Sequence, residues 1–144
     1  MTAAAGPDVE RLLRRRMPAD LRVRVALEIV ATYMQVRGRM LHGDVRDVVG
    51  RLRDGAVDAH DPYVAYRIGR RLGQPVRRTL DPLPWDSRCL MRSLVLLRML
   101  ARRGVVCELV IGVRPGETLE AHAWIEHDGH PLLPTLGYER LTVL

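Results

Sequence analysis

Two residues of the types that carry out covalent catalysis stand out in the sequence, Cys89 and His122. A thiol acts as a nucleophile when a neighbouring base accepts its proton and later protonates the leaving group. A cysteine at a helix tip and a histidine on an adjacent strand can meet this need without being close in sequence. Each residue alone has a simpler explanation, because free cysteine is often a buried hydrophobic residue and a strand histidine is commonly structural. The pair therefore predicts thiol chemistry if the fold brings both side chains together.

The element that would position Cys89 is an apolar helix over residues 88–104. Its apolar residues form two neighbouring stripes at helical spacing, Leu90, Leu94, Leu97 and Ala101 on one and Met91, Val95 and Met99 on the other. A helix that is apolar around most of its circumference is typical of a buried position. Asp86 or Ser87 is a candidate N-cap, which places Cys89 in the first turn. There the free backbone amides and the positive end of the helix dipole stabilise a thiolate.

The first half of the chain predicts small amphipathic helices. Residues 8–17 favour a short helix that Pro18 interrupts, and residues 19–37 favour a longer one. Apolar residues of the longer helix recur at helical spacing, so we expect this stripe to face the core: Val23, Ala26, Leu27, Val30, Tyr33 and Met34.

Two further helices are predicted before the central one. The first opens at Gly43-Asp44 and closes at Asp54-Gly55, and the second begins at Pro62 as a first-turn proline. The stretch 74–84 contains three prolines and is expected to be irregular.

The second half of the chain changes to the twofold alternation that is typical of strands. Four segments follow this pattern or extend it, at 105–113, 119–127, 131–133 and 141–144. His122 lies within the second segment, whereas Cys107 falls in the apolar alternation of the first and is expected to pack in the core. Helices followed by an antiparallel meander indicate an α+β fold. We expect a single domain over 1–144, with a helical part over 1–80 and a core that carries the chemistry over 81–144.

Composition narrows the class of protein. The 144 residues carry a net charge of +6, supplied mainly by arginine, which favours an acidic partner. Basic residues do not form a block interleaved with aromatic residues, so nucleic-acid binding is not predicted. The sequence contains neither a membrane-spanning apolar run nor the apolar centre of a signal peptide, and we expect a cytoplasmic protein with free thiols.

Metal and cofactor binding is not predicted either. Three histidines near the second strand and two cysteines could suggest a metal site, but the sequence has no C-x-x-C pair and no H-x-x-x-H helix pair.

Several neighbours of Cys89 are candidates for shaping a site. Arg92 and Ser93 follow it by about one helical turn and could line the site or clamp the backbone, and an arginine inside a buried helix needs a partner. Trp85 and Trp124 are expected to form walls around the sulfur, although packing in the core explains them equally well.

The same residues resemble a known family. Trp85 precedes the cysteine, and three motifs follow at characteristic distances: C-L-M-R-S-L from Cys89, G-V-V-C-E-L-V-I-G-V from Gly104 and A-H-A-W-I-E from Ala121. Together they resemble the transglutaminase-like leader peptidase of lasso-peptide biosynthesis, closely over about residues 82–131. The resemblance implies a papain-like α+β cysteine protease, with Cys89 as nucleophile and His122 as base, that removes the leader from a ribosomally synthesised precursor peptide. It also implies a separate leader-binding protein that delivers the precursor and a cyclase that works on the product.

One position departs from that family. Its members usually carry an acid twelve residues after the histidine, and here this residue is Pro134. A three-residue loop over 127–129 would place residue 134 directly across from His122. Glu126 shares the face of His122 but lies four residues along the strand, roughly 13 Å away, and Asp128 is farther still. Neither carboxylate is therefore expected to orient the imidazole.

The remaining candidates for orienting His122 are Thr135 after a one-residue slip, Asp86 beside the nucleophile, or a backbone carbonyl. A Cys-His dyad is workable because cysteine is partly ionised even without help. The interpretation is a peptidase with a relaxed third position. The alternative is a degenerate relative that only binds the leader or acts as a scaffold, and acyl transfer to an amine is a third possibility. If the acid is missing, Pro134→Asp is expected to raise cleavage about ten- to a hundredfold.

Overall fold

The computed structural model describes residues 7–82 and 88–144. The helices are α1 (Pro7–Leu13), α2 (Ala19–Met40), α3 (Val45–Arg53), α4 (Pro62–Leu80) and α5 (Arg88–Ala101). The strands are β1 (Glu108–Arg114), β2 (Glu120–His127), β3 (His130–Pro131) and β4 (Glu139–Val143). The strands form one antiparallel sheet after the helices, which confirms the predicted α+β class.

Helix α5 lies at the centre of the core, as its apolar sequence predicts. It packs against α2, α3, α4, β1 and β2. Its middle and last turns are fully buried, at Leu94, Val95, Leu96, Leu97, Met99 and Leu100. Because each such side chain contributes about 1.5–3 kcal/mol on burial, this helix anchors both halves of the chain to one apolar cluster.

The two middle helices begin where their caps predict. Asp44 accepts a hydrogen bond from the amide of Asp47 at 2.9 Å, and α3 ends before Gly55, whose φ of +73° suits glycine. Asp61 caps α4 by accepting from the amides of Tyr63 and Val64.

The prediction that residues 74–84 are irregular is wrong for their first part, because α4 continues through Pro75 to Leu80. A proline inside a helix costs about 3 kcal/mol. Val76 and Leu80 extend the buried stripe of Leu72 by two turns and are themselves buried. Burial of these side chains offsets the proline.

Helix α2 faces the core with a different side from the one predicted. Of the predicted stripe, Val23 is 60%, Leu27 66%, Val30 50% and Met34 59% exposed. Tyr33 of the predicted stripe is buried, but the other buried residues lie on the opposite side of the helix, at Leu21, Val25, Ile29, Thr32 and Val36. Helical spacing could not choose between these sides because α2 is apolar on both. Although α2 has 22 residues, no helix in the described parts of the chain is long and apolar enough to cross a membrane.

The sheet has the order β3-β2-β1-β4. The first three strands form the predicted meander, in which Gly112 of β1 lies opposite His122 of β2. Strand β4 does not extend the meander, since it returns to pair with the free edge of β1. The chain must therefore cross the sheet between β3 and β4, and this crossing segment comprises residues 132–138.

The β2–β3 turn has two residues, not the three predicted, because His127 pairs with His130. Asp128 and Gly129 both have positive φ, at 48° and 76°. An Asp-Gly pair with this backbone suits the tight type I′ turn that connects twisted strands. The register is consequently shifted by one residue from the expected one.

The crossing segment packs against α4 through two glycines. A Cβ atom on Gly69 would lie 2.6 Å from Leu132 Cδ1, and one on Gly73 would lie 3.3 Å from the carbonyl oxygen of Leu132. Leu132 and Leu133 are buried. The small residues of α4 thus let the segment lie close to the helix and fix its path toward β2.

Candidate active site

The nucleophile candidate Cys89 is the second residue of α5 and is partly buried. One turn later the buried Ser93 lies with its hydroxyl 2.8 Å from the carbonyl oxygen of Cys89 and 3.2 Å from that of Ala123. Ser93 therefore links the first turn of α5 to the strand residue that follows His122. Of the two roles considered for Ser93, lining the site or clamping the backbone, these contacts fit the second.

The base candidate His122 is oriented by the main chain. Its Nε2 lies 2.8 Å from the carbonyl oxygen of Pro134. A carbonyl can only accept, so Nε2 carries the hydrogen, and in the neutral imidazole Nδ1 then has the free lone pair. Of the three groups considered for this role, the backbone carbonyl makes the contact that the structure records.

The crossing segment explains why Pro134 reaches His122. Strand β3 ends at Pro131, and after the amide of Leu132 bonds to the carbonyl of Ile125 at 2.9 Å the chain leaves the ladder. With the observed two-residue turn, continued pairing would have brought Thr135 opposite His122. The chain instead bends over the strand and presents the Pro134 carbonyl.

Two aromatic rings pack against the His122 imidazole. Trp124 stacks on it with ring centroids 5.8 Å apart, and Tyr138 contacts it at 5.1 Å. Tyr138 also donates to Glu120 at 3.1 Å and lies under the guanidinium of Arg114 at 4.7 Å. The imidazole therefore contacts two aromatic rings as well as the carbonyl at Nε2.

Two successive hydrogen bonds, through the buried Glu126, hold Trp124 in place. Its indole nitrogen donates to Glu126 at 2.8 Å, and Glu126 accepts from Arg140 of β4 at 2.6 Å. Gly112 makes room for the ring, since a Cβ atom there would lie 2.5 Å from it. Glu126 does not orient His122, as expected, but it supports the tryptophan that does.

Cys89 and His122 line one small cavity of about 50 Å³ between α4, α5, β2 and the crossing segment. The other residues of the lining are Arg77, Arg92, Ala123, Leu133, Pro134 and Leu136. Arg92 is ion-paired with Asp81 at the end of α4, which supplies the partner that an arginine in this helix needs. The fold thus brings the thiol and the imidazole to the same opening.

The second cysteine has a different environment. Cys107 is buried in the core, as predicted, and burial raises the pKa of its thiol to about 12. The thiol of Cys107 is therefore protonated and shielded from solvent at neutral pH, and it does not line the cavity.

The remaining site predictions have mixed outcomes. Trp85 and Asp86 lie outside the described residues. Trp124 contacts the imidazole and is part of the core. Sequence reasoning missed Tyr138, because nothing in its spacing shows that the chain crosses back over His122. Within the described residues, no group of three or more His, Cys, Asp or Glu side chains could hold a metal ion.

Comparison with known proteins agrees with this architecture. The model of the transglutaminase-like superfamily matches residues 26–144, which is most of the chain and includes Cys89 and His122. No curated protein and no solved structure matches the chain. Membership suggests cysteine-protease-like activity, since thiol chemistry is common in this fold. The chain belongs to the transglutaminase-like superfamily.

Proposed function

We propose that this protein is a cytoplasmic cysteine peptidase that removes the leader from a ribosomally synthesised lasso-peptide precursor. The observation that carries the proposal is that Cys89 and His122 line one cavity while the Pro134 carbonyl holds Nε2 of the imidazole. The motif resemblance over residues 82–131 supplies the substrate class, and the superfamily match supports the thiol chemistry.

In the proposed reaction, Nδ1 of His122 accepts the proton of Cys89, and the thiolate attacks the carbonyl carbon of the scissile peptide bond. The imidazolium then gives its proton to the leaving amine, which departs and leaves a thioester on the sulfur. Water, deprotonated by His122, attacks the thioester and releases the free carboxylate and the thiol. The aromatic contacts of His122 keep the ring in one orientation through these steps.

The contacts of His122 favour a catalytic role over a binding-only role. Main-chain carbonyls also hold one ring nitrogen of His60 and of His127, but neither of these residues lines the cavity of Cys89. A base needs one nitrogen held, the other free, and a position beside the thiol. Here the held nitrogen is Nε2, and the ring is confined by Trp124 and Tyr138. The sequence alone makes the missing acid at residue 134 an argument for a degenerate protein. The structure weakens this argument, because a main-chain carbonyl takes the place of the acid.

We further propose that the precursor is delivered by a separate leader-binding protein that docks on the exposed stripe of α2. We define this stripe by Val23, Leu27, Val30 and Met34; it is about 16 Å long at 1.5 Å per residue. Exposed apolar stripes of this kind commonly mark interaction sites.

Charge selects the occupant of the α2 stripe. Arg22 and Arg24 lie on either side of Val23 in sequence, Arg24 also pairs with Asp8 at 3.7 Å, and the whole chain carries +6. A second copy would bring like charges together, whereas a segment with an apolar face and acidic edges would match both features. The proposed partner therefore presents such a segment, and the cyclase acts later on the released product.

The test is cleavage of a precursor peptide from the same biosynthetic system in the presence of its leader-binding protein, followed by mass spectrometry. Cys89→Ala and His122→Ala are each expected to abolish leader removal while the circular dichroism spectrum stays unchanged, because the two groups act as a unit. Comparable cleavage by Cys89→Ala would reject the nucleophile. If the wild type binds the precursor without cutting it, the binding-only alternative is correct.

A further inference from the structure

The cavity beside Cys89 has two guanidinium groups on its wall, Arg77 from α4 and Arg92 from α5. We propose that this wall is an anion subsite that holds a carboxylate of the substrate next to the scissile bond. The identity of the substrate as a peptide rests on the function proposed above, whereas the subsite itself rests on the charges described here.

The charge of the wall is not cancelled by the residues around it. Asp81 pairs with Arg92, so one carboxylate stands against two cations. The rest of the described lining, apart from the catalytic pair, is apolar: Ala123, Leu133, Pro134 and Leu136. Apolar walls lower the local dielectric and lengthen the reach of the remaining positive charge.

Arg92 is both held and incompletely bonded. Its side chain is only 21% exposed, and its pairing with Asp81 fixes the position of the guanidinium. Within residues 7–82 and 88–144, its buried Nε has no hydrogen-bond partner. A guanidinium has five N–H donors, so the ion pair with Asp81 leaves the group able to interact with a second anion. A cation that is fixed in advance loses little freedom on binding.

Arg77 supplies a second cation, which is exposed. It lies on the exposed side of α4, and no ion pair with it is recorded among the described residues. A neutral apolar group in this cavity would strip water from two guanidinium groups without replacing it, which is unfavourable. A cavity of about 50 Å³ suits a group of carboxylate size better than a bulky side chain.

The subsite can be tested without any peptide, by alkylation of Cys89. Iodoacetate and iodoacetamide react by the same displacement of iodide by the thiolate, but only iodoacetate carries a carboxylate. We expect the ratio of the iodoacetate rate constant to the iodoacetamide rate constant to be about tenfold higher at Cys89 than for free cysteine. A cation a few ångströms from an anion stabilises it by about 1.4 kcal/mol, which corresponds to a rate factor of that size. The buried Cys107 leaves Cys89 as the reacting thiol.

Variants separate the subsite from the general positive charge of the protein. Arg77→Gln is expected to lower the iodoacetate-to-iodoacetamide ratio about three- to tenfold, and Arg77→Lys should retain it. A change in the thiolate fraction of Cys89 affects both reagents equally and cancels in the ratio. Arg78→Gln is the matched control, because Arg78 is an exposed neighbour that does not line the cavity. A wild-type ratio equal to that of free cysteine, or an equal effect of Arg78→Gln, would overturn the proposal.

A precursor series identifies the source of the carboxylate. Each of the three residues on either side of the cut is changed in turn to Asp, and each peptide is also made with an amidated C-terminus. We expect one position at which Asp raises kcat/KM about tenfold in the wild type but not in Arg77→Gln, whatever the C-terminus. A loss on amidation alone assigns the subsite to a terminal carboxylate. A series with neither a gain at any position nor a loss on amidation would overturn the proposal that the wall holds a carboxylate of the substrate. Slow iodoacetamide alkylation of Cys89 would instead count against the proposed thiol catalysis.

Discussion

The hydroxyl of Ser93 lies 3.2 Å from the carbonyl oxygen of Ala123, the residue that follows His122. This buried contact joins the helix that carries the thiol to the strand that carries the imidazole. The distance between the thiol and the imidazole therefore depends on a side chain that contacts the main chain of both elements.

Ser93→Ala tests this positioning role. We expect a loss of about 1 kcal/mol in the free energy of unfolding, because one buried hydrogen bond is removed, and a several-fold fall in kcat/KM. Chemical denaturation and cleavage kinetics measure the two effects. Ser93→Thr keeps the hydroxyl, so its kcat/KM should be higher than that of Ser93→Ala. Its free energy of unfolding should recover less, since the extra methyl group must fit in a filled core. Full activity in Ser93→Ala would show that the contact is only structural.

Pro134→Asp gives a second prediction, and the structure changes its expected size. The sequence alone predicts a ten- to hundredfold gain from restoring an acid. Because the Pro134 carbonyl already occupies Nε2 of His122, we now expect cleavage by Pro134→Asp to stay within about threefold of Pro134→Ala. The alanine variant is the control because it also restores an amide hydrogen. A gain of tenfold or more over alanine would show that a carboxylate displaces the carbonyl.

Cys107 predicts how stability depends on pH. Its pKa is raised from 9.0 to about 12 in the folded protein by burial, so the folded state keeps a proton that the unfolded state loses above pH 9. Its contribution to stability is therefore complete below pH 9 and falls by about 1.4 kcal/mol per pH unit between pH 9 and 12.

Denaturation of the wild type and of Cys107→Ala at a series of pH values measures this effect. The variant is less stable at pH 7 because it leaves a small cavity, and the gap should narrow above pH 9. Tyrosines and arginines titrate equally in both proteins, so the difference isolates Cys107. A gap that is constant up to pH 10.5 would contradict the assignment.

The α2 stripe predicts the effect of surface substitutions on partner binding. The double change Leu27→Ser and Met34→Ser should weaken binding of the leader-binding protein at least tenfold in isothermal titration, because both side chains are more than half exposed and free to pack on a partner. Val57→Ser is the matched control, since Val57 is 74% exposed and lies in the loop after α3. The alkylation rate of Cys89 should not change in any of these variants.

The electrostatic contribution to partner binding at the α2 stripe is tested separately. Arg22→Gln with Arg24→Gln should reduce the salt dependence of binding more than the affinity at high salt. Equal affinity of the serine double variant and the wild type would reject the docking site. Self-association that is lost in the serine variant, measured by sedimentation, would assign the stripe to a second copy instead.

Local sequence patterns predicted most of the elements. Asp44, Asp61 and Pro62 mark helix starts through their own chemistry, and the twofold alternation around His122 marks β2. These signals depend on neighbouring residues, so they can be read from sequence. The motifs around Cys89 and His122 also indicated the pair, which the fold brings to one cavity.

Features that depend on distant contacts could not be read in this way. The exposed side of α2 is as apolar as much of its buried side, so only the packing of α4 and α5 decides which one is covered. The helix through Pro75 exists because burial of Val76 and Leu80 outweighs a local penalty. The return of β4 to β1 determines what lies over His122, and no periodicity encodes that path.

The hydrogen bond from His122 to the Pro134 carbonyl has a consequence for how such a site is recognised. Every residue type has a main-chain oxygen, so no single substitution at residue 134 removes the acceptor. Alanine substitution at residue 134 itself would therefore leave the acceptor in place, and substitutions confined to the residues of the cavity would miss the third group. That group is encoded by the route of the chain, and glycines that are remote from the thiol, such as Gly69, would be the positions at which mutation exposes it.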